Sequence, residues 1–245
     1  MLAVIGGSGL SRLASLEVTQ RKVVRTPYGE PSGALTFGSI GGRELVFLAR
    51  HGYGHTIPPH QVNYRANIWA LRQEAVEGVV SVASVGGIRA DCAPGSLVLP
   101  HQIVDYTWGR PATFFEAPEA PVTHIDFTEP YSATLRERIL AAARRCGEPI
   151  HPRGVYAATQ GPRLETAAEI DRLERDGADL VGMTGMPEAS LAREAGLEYA
   201  AIAVVANRAA GRGDSRRAVA LEAIGAVLEQ AMERVRRILG ELLAQ

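Results

Sequence analysis

The chain has 245 residues, of which 46% are hydrophobic and 22% charged, and its formal net charge is -1. This balance is typical of a globular protein, and we expect a single domain over residues 1–245. The near-neutral charge offers no electrostatic attraction to nucleic acid or to an acidic membrane surface. The composition therefore favours a small molecule as the binding partner.

Two cysteines, Cys92 and Cys146, are too few for a disulfide framework, and neither belongs to a Cys-x-x-Cys pair that would indicate a zinc site. The first residues carry no basic segment, and no apolar stretch approaches the roughly 18 residues of a membrane span. We therefore expect a cytoplasmic protein without a signal peptide, a membrane span or a metal.

The apolar run 2–5 predicts a buried strand that opens into the glycine-rich loop 6–9. The free backbone N–H groups of this loop and the Ser8 hydroxyl could hold an anion, although a plain tight turn is an alternative. A dinucleotide-binding fingerprint is disfavoured, because Arg12 stands where its third glycine belongs and 26–29 is a turn sequence.

Residues 34–49 alternate and then run apolar, which predicts a hairpin feeding a buried strand. The strand ends at Arg50 and His51. A guanidinium binds an oxyanion through two parallel hydrogen bonds, so Arg50 is a candidate oxyanion clamp, with an arginine bonded to loop carbonyls as the alternative.

Three histidines lie within ten residues, at His51, His55 and His60. No cysteine or carboxylate stands among them, so this spacing indicates loop structure or a subunit contact rather than a metal site.

The remaining pattern divides into segments of helical or strand character. Strands are predicted over 79–85, 97–104, 154–158, 178–181 and 199–205, and helices over 63–76, 132–147, 165–176 and 217–243, with a further helix between the turn 182–185 and the strand 199–205. A long irregular stretch runs from 105 to 130 and contains His124. Such long loops are commonly functional or interfacial.

Valine-rich strands separated by helices predict an α/β fold, with a mixed, largely parallel β-sheet flanked by helices on both faces. Two of the strands end close to polar groups, at Thr184 and Asn207. Because ligands bind beyond the carboxyl ends of parallel strands, we expect these groups to share one crevice.

Several motifs occur together, in order, along nearly the whole chain. They are Gly6-Gly7-Ser8-Gly9-Leu10, Ala49-Arg50-His51-Gly52, His55-Thr56-Ile57 with Val62-Asn63-Tyr64-Arg65-Ala66-Asn67, Gly161-Pro162-Arg163, and Gly182-Met183-Thr184 with Met186-Pro187-Glu188. In this combination the chain resembles the methylthioadenosine phosphorylase and trimeric purine nucleoside phosphorylase family.

The resemblance implies phosphorolysis, in which inorganic phosphate attacks the anomeric carbon of a nucleoside while the purine leaves. Phosphate is then a co-substrate, and no cofactor is expected. The implied phosphate-binding residues are Ser8, Arg50, His51, Ala83, Ser84 and Thr184. The implied nucleoside-binding residues are Leu164, Met183, Asn207, Ala209, Leu221, Ile224 and, from a neighbouring subunit of a homotrimer, His124.

One departure from the family pattern concerns the purine. Adenine-cleaving members carry Thr-Asp-x-Asp after the last strand, whereas this chain has Ala206-Asn207-Arg208-Ala209. An amide can donate to O6 while accepting the N7 proton, so a catalytic Asn207 suits a 6-oxopurine, and Ala209 offers nothing to a 6-amino group. Leu164 stands where the adenine enzymes use Phe.

At the 5′ end, Leu221 and Ile224 would form an apolar lining that leaves a hydroxyl unpaired and suits a methylthio group. The motifs therefore predict phosphorolysis of S-methyl-5′-thioinosine. Methylthioadenosine phosphorylase and a broad 6-oxopurine nucleoside phosphorylase are the alternatives. A non-catalytic nucleoside-binding protein and a nicotinamide-dependent oxidoreductase are remote ones.

Overall fold

A computed structural model describes residues 1–10, 13, 15–116 and 121–244, so Arg12 and part of the irregular stretch lie outside the described residues. The described strands are β1 Leu2–Gly6, β2 Glu17–Lys22, β3 Leu35–Ile40, β4 Arg43–Ala49, β5 Gly78–Gly87, β6 Leu97–Val98, β7 Gln102–Asp105, β8 Val155–Ala158, β9 Leu180–Gly182 and β10 Glu198–Arg208. The helices are α1 Tyr64–Gln73, α2 Ala133–Arg145, α3 Ala167–Arg175, α4 Gly185–Glu194 and α5 Leu221–Leu243.

The strands form one mixed sheet in the order β2-β3-β4-β1-β5-β9-β8-β7, and β10 pairs with both β5 and β6. The centre of the sheet is parallel: β1 lies between β4 and β5, and β10 runs alongside β5 over its whole length. Parallel strands are normally covered on both faces, which explains why β1, β5 and β10 read as nearly continuous apolar runs.

Successive residues of β1 point into two separate cores. Ala3 and Ile5 pack in the core that includes α1 and α4, while Leu2 and Val4 pack in the core that includes α2 and α5. The helices therefore cover both faces of the sheet, and the predicted α/β fold class is confirmed.

Three helices begin at a polar side chain that accepts a hydrogen bond from the first turn. Asn63 caps α1 and Ser132 caps α2, while Thr166 and Glu169 form a capping box at α3. The long helix α5 differs, because Ala220 at its start makes no side-chain cap.

Several predicted boundaries are wrong, three of them as follows. The strand expected over 97–104 is split into β6 and β7 around Pro100, which has no N–H to donate to a ladder. The helix expected from 165 begins at Ala167, because Thr166 caps it. The helix expected from 217 begins at Leu221.

The strand β2 was not predicted from the sequence. All six of its side chains are exposed, and it lies at the edge of the sheet against β3. A strand with neither face buried carries no hydrophobic alternation, so no sequence pattern marks it.

Candidate active site

A cavity of about 580 Å³ opens at the carboxyl ends of β1, β4, β5 and β10. The structure brings most of the predicted site residues to its wall. They are Ser8, Arg50, His51, Ala83, Ser84, Leu164, Met183, Thr184, Asn207, Ala209 and Ile224. The two strand ends expected to share a crevice therefore do so, at Thr184 and Asn207.

Ser8 lies in the loop after β1, beside the end of β5. A Cβ on the preceding Gly7 would stand 2.6 Å from the Val82 carbonyl oxygen, so only glycine lets the loop approach β5 this closely. The Ser84 hydroxyl donates to the Ser8 carbonyl over 3.1 Å, and Ser8 Oγ lies 3.3 Å from His55 Nε2. These contacts bring two hydroxyl groups and an imidazole to one end of the cavity.

Arg50 is fully buried behind this polar end. Its Nε and Nη2 donate to the two carboxylate oxygens of Glu188 over 2.6 and 2.9 Å, Nη2 also donates to Ser81 Oγ, and Nη1 donates to the Val82 carbonyl. Burial acts to lower the pKa of the guanidinium, but the Glu188 carboxylate outweighs it and holds the pKa above its usual range. The expectation of a free bidentate clamp is wrong, since Glu188 occupies that edge and a single Nη1 proton is left for a ligand.

His51 is a neutral imidazole in this environment. Burial, reinforced by the charge of Arg50, lowers the pKa of His51 from 6.5 to about 4. Its Nδ1 lies 2.7 Å from the Ile57 carbonyl oxygen, which assigns the proton to Nδ1 and leaves Nε2 as an acceptor. His51 Nε2 can therefore accept from a protonated oxygen of a ligand but cannot donate to an oxyanion.

Met183 and Thr184 lie in the turn between β9 and α4. The Thr184 hydroxyl makes no capping bond to α4 and lies at the cavity wall. Arg110 fixes this turn by donating to the carbonyls of Met183 over 2.8 Å and of Met186 over 2.6 Å, and to the Gln160 carbonyl over 2.8 Å.

The opposite part of the wall combines an amide, an alanine and a carboxylate. Asn207 donates one Nδ2 proton to the Arg208 carbonyl over 2.7 Å, and Ala209 is buried. Glu165 lines the same cavity next to Leu164, and its Oε1 accepts a hydrogen bond from the Thr159 hydroxyl over 2.7 Å. Glu165 is the one carboxylate among the described cavity-lining residues.

A third part of the wall is apolar and comes from α5 and the segment before it. Val219, Ile224 and Leu228 line the cavity. Leu221 does not, and its side chain is 62% exposed. Ile224 and Leu228, four residues apart, share the helical face that lines the cavity. Leu221 lies on the same side of α5, but as the first residue of the helix it is exposed to solvent and does not reach the wall.

His124 is exposed and does not line this cavity. It belongs to the irregular stretch between β7 and α2. The position is compatible with the expected contact to a neighbouring subunit.

Three polar residues of the wall were not predicted from the sequence: His55, Thr56 and Glu165. His55 was assigned to a proline-containing loop, and Glu165 to the first turn of a helix. The signature Thr166-x-x-Glu169 is a capping box, which would have placed Glu165 in the loop before α3. No local pattern marks His55, since its proximity to Ser8 arises from the fold.

Within the described part of the chain, no group of three or more His, Cys, Asp or Glu side chains could hold a metal ion. Nor does any helix in the ranges described combine the length and apolar character that crossing a membrane requires.

Comparison with known proteins identifies the family. The Phosphorylase superfamily model matches residues 1–244. A probable S-methyl-5′-thioinosine phosphorylase from Pseudomonas syringae pv. tomato is 53% identical over 242 residues, covering 99% of this chain and 98% of the relative. A 6-oxopurine nucleoside phosphorylase from Pyrococcus furiosus is 48% identical over 215 residues, covering 86% of this chain and 80% of the relative.

An S-methyl-5′-thioadenosine phosphorylase from Hyperthermus butylicus is 43% identical over 244 residues, covering 99% of this chain and 87% of the relative. Among solved structures, methylthioadenosine phosphorylase from Schistosoma mansoni in complex with adenine superposes with a TM-score of 0.94 at 34% identity, covering 99% of this chain and 90% of that one. The resemblance drawn from the motifs is confirmed, and the chain belongs to the phosphorylase superfamily.

Proposed function

We propose that this enzyme cleaves S-methyl-5′-thioinosine with inorganic phosphate. A phosphate oxygen forms a bond to C1′ of the ribose as the bond from C1′ to purine N9 breaks, giving hypoxanthine and 5-methylthioribose 1-phosphate. Relatives from Pseudomonas syringae, Xanthomonas campestris and Xylella fastidiosa, at 52–54% identity, carry the name of probable S-methyl-5′-thioinosine phosphorylase, which supports this substrate.

Phosphate would bind at the polar end of the cavity. The donors available there are the hydroxyls of Ser8 and Thr184, the backbone around Ala83 and the remaining Nη1 proton of Arg50. Ser84 would join them by turning its hydroxyl from the Ser8 carbonyl to the phosphate. Holding the nucleophile in place beside the ribose replaces a bimolecular encounter by an oriented one, which is a large part of the rate enhancement in such reactions. Met183 would contact the ribose.

The purine would lie between Leu164 and Asn207. The second Nδ2 proton of Asn207 can donate to O6, and its Oδ1 can accept the proton on N7 of the leaving base. Glu165 strengthens the case for a 6-oxopurine, because a carboxylate accepts from the N1–H that hypoxanthine carries and adenine lacks. Ala209 offers no partner to a 6-amino group.

The 5′ substituent would lie against Val219, Ile224 and Leu228. A hydroxyl placed there would lack a hydrogen-bond partner, at a cost of roughly 1–3 kcal/mol, whereas a methylthio group suits an apolar wall. These residues take the role that the sequence assigned to Leu221 with Ile224.

The observation that carries this function is the composition of one continuous wall. Its lining has three chemical parts: hydroxyl groups, the Asn207 amide with the Glu165 carboxylate, and the aliphatic side chains of Val219, Ile224 and Leu228. An oxyanion, a 6-oxopurine and a methylthio group match these three parts in turn.

The proposal includes a cytoplasmic homotrimer without a cofactor. The two free cysteines suit a reducing compartment. His124 would reach the site of a neighbouring subunit, and Trp108, which is 72% exposed, lies in the same irregular stretch.

The relative rates on three nucleosides test the substrate. At saturating phosphate, we expect kcat/KM for S-methyl-5′-thioinosine to exceed that for S-methyl-5′-thioadenosine and for inosine, as measured by release of the free base. Faster cleavage of methylthioadenosine would contradict the role of Asn207, and faster cleavage of inosine would contradict the role of the apolar wall. Release without phosphate would indicate a hydrolase instead.

Replacing both residues at the base edge provides the sharper test. Asn207→Asp with Ala209→Asp restores two carboxylates that can accept from a 6-amino group and a protonated N7. We expect the preference for methylthioadenosine over methylthioinosine to rise about tenfold or more in kcat/KM. The single variants serve as controls, and their melting temperatures report whether a carboxylate at the buried Ala209 is tolerated. An unchanged preference between the two nucleosides in a folded double variant would refute the role assigned to Asn207 and Ala209.

A further inference from the structure

The side-chain charges at the polar end of the cavity cancel before any ligand binds. Arg50 and Glu188 form a buried ion pair, with Nε and Oε2 2.6 Å apart. His51 adds no charge near neutral pH, because burial and the nearby Arg50 lower its pKa to about 4. A bound phosphate dianion would therefore meet no net positive charge from these three side chains.

His55 is the remaining imidazole among the described residues of the cavity wall. Its Nε2 lies 3.3 Å from Ser8 Oγ, and its ring centroid lies 4.9 Å from that of His51. The Arg50–Glu188 pair lies behind His51, and Glu165 faces the cavity from the loop before α3. His55 thus places an imidazole nitrogen close to the oxyanion donors.

The backbone holds His55 in an unusual conformation. Its φ is 52°, in the left-handed region that non-glycine residues rarely adopt. The turn is fixed by a hydrogen bond from His55 N–H to the Gly52 carbonyl and by two from Thr56 and Ile57 N–H to the His51 carbonyl. Strained positions held this firmly occur frequently at ligand sites.

The proton on His55 decides what the Ser8 hydroxyl can do. If Nε2 is unprotonated, it accepts the Ser8 hydrogen, and that hydrogen cannot reach an oxyanion. If Nε2 is protonated, it donates to Ser8 Oγ, and the Ser8 hydrogen is free to donate to the ligand. A neutral ring that carries its hydrogen on Nε2 also donates to Ser8 Oγ, but only the imidazolium supplies both that donor and a positive charge.

We propose that His55 takes up one proton from solvent when phosphate binds, which balances part of the dianion and turns the Ser8 hydroxyl towards it. This inference rests on the proposed function, because it places phosphate at this end of the cavity. No bond other than that to the proton forms or breaks, and the product is an imidazolium beside the bound oxyanion.

Sulfate is the suitable probe, since it stays a dianion across the neutral pH range whereas phosphate itself titrates. Isothermal titration calorimetry in two buffers of different ionisation enthalpy, at the same pH, counts the protons taken up per sulfate bound. On the alkaline side, we expect wild type to approach one proton per sulfate and to lose up to about tenfold in sulfate affinity per pH unit.

Three variants identify the group that is protonated. His55→Gln keeps a polar side chain but cannot titrate, so we expect proton uptake near zero and a sulfate affinity that changes less than about twofold per pH unit. His51→Gln should retain the uptake. His151→Gln, outside the cavity, is the matched control and should behave as wild type.

Absence of uptake in wild type would overturn the proposal, as would uptake that persists in His55→Gln or disappears in His51→Gln. If His55→Gln binds no sulfate, the other two proteins still test the proposal. Proton uptake that is present in wild type and retained in His51→Gln supports His55 as the group that is protonated. Phosphate-dependent base release by wild type is assayed in parallel. A missing proton signal with intact phosphorolysis contradicts this inference alone, whereas absent phosphorolysis contradicts the proposed function.

Discussion

At the scale of single residues, the buried pair of Arg50 and Glu188 dominates the site's electrostatics. Glu188 is fully buried and also accepts hydrogen bonds from Ser81 and Tyr199. A buried ion pair is weak evidence for stability by itself, but removing one partner leaves an uncompensated charge in a medium of low polarity. The Glu188 carboxylate is therefore required to keep the Arg50 guanidinium buried at the cavity wall.

Glu188→Gln retains the size of the side chain and removes its charge. We expect the free energy of unfolding to fall by roughly 3–5 kcal/mol, because the Arg50 guanidinium stays buried without a counter-charge. Added sulfate or phosphate should recover more of the lost melting temperature in this variant than it adds to wild type, since an oxyanion could then pair with Arg50. Thermal unfolding with and without sulfate measures both effects.

The exposed pair of Arg145 and Glu241 provides the control. Their side chains are 42% and 41% exposed, so Arg145→Met should cost less than about 1 kcal/mol and show no special response to sulfate. Equal losses in Arg145→Met and Glu188→Gln would contradict the importance given to the buried pair.

At the scale of elements, the start of α5 connects stability to the nucleoside site. This helix has 23 residues, and it packs Val235, Ile238 and Leu242 fully into the core while its first turn is largely exposed. The start carries no side-chain cap, yet Ile224 of the same region lines the cavity. The apolar wall thus lies at the least supported end of the helix.

A new cap should stabilise this end. Ala220→Asp places a carboxylate at the N-cap of α5, where it can accept from the first-turn N–H groups and favourably face the helix dipole, so we expect a gain of about 0.5–2 kcal/mol. Thermal unfolding measures the gain. Ala218→Asp adds the same charge upstream of the cap and is expected to be near neutral; equal gains from both would show that the helix does not begin at Leu221.

At the scale of the whole molecule, the proposed homotrimer makes each site depend on two chains. His124 is exposed and does not line its own chain's cavity, so its proposed role requires a neighbour. Loss of this contact should raise KM for the nucleoside and leave KM for phosphate unchanged. Light scattering coupled to size-exclusion chromatography measures the assembly directly.

Mixed assemblies test shared sites. Asn207→Ala removes the base contact of one chain, and His124→Ala removes the contribution to the neighbour. In trimers that contain both variants, a chain with intact Asn207 can meet a neighbour with intact His124. We expect a co-refolded mixture to exceed the mean activity of the two variants refolded separately, and equality with that mean would contradict a shared site.

Sequence patterns determined the fold class, the family and most of the cavity wall. The reason is that buried parallel strands are continuous apolar runs, and the residues just beyond their ends necessarily meet at one edge of the sheet. Ser8 and Thr184 each follow such a strand and Asn207 lies at the carboxyl end of one, so their convergence could be predicted without coordinates. The exposed strand β2 could not be, because a strand without a buried face has no periodic signal.

Only the tertiary structure decided what those residues are free to do. The sequence offered Arg50 as a clamp for an oxyanion, and the fold turns its bidentate edge to Glu188, 138 residues further along the chain. It likewise brings His55 to Ser8 and leaves Leu221 outside the cavity. Local pattern fixes which side chains face an edge, whereas charge pairing and hydrogen bonding depend on contacts between residues remote in sequence.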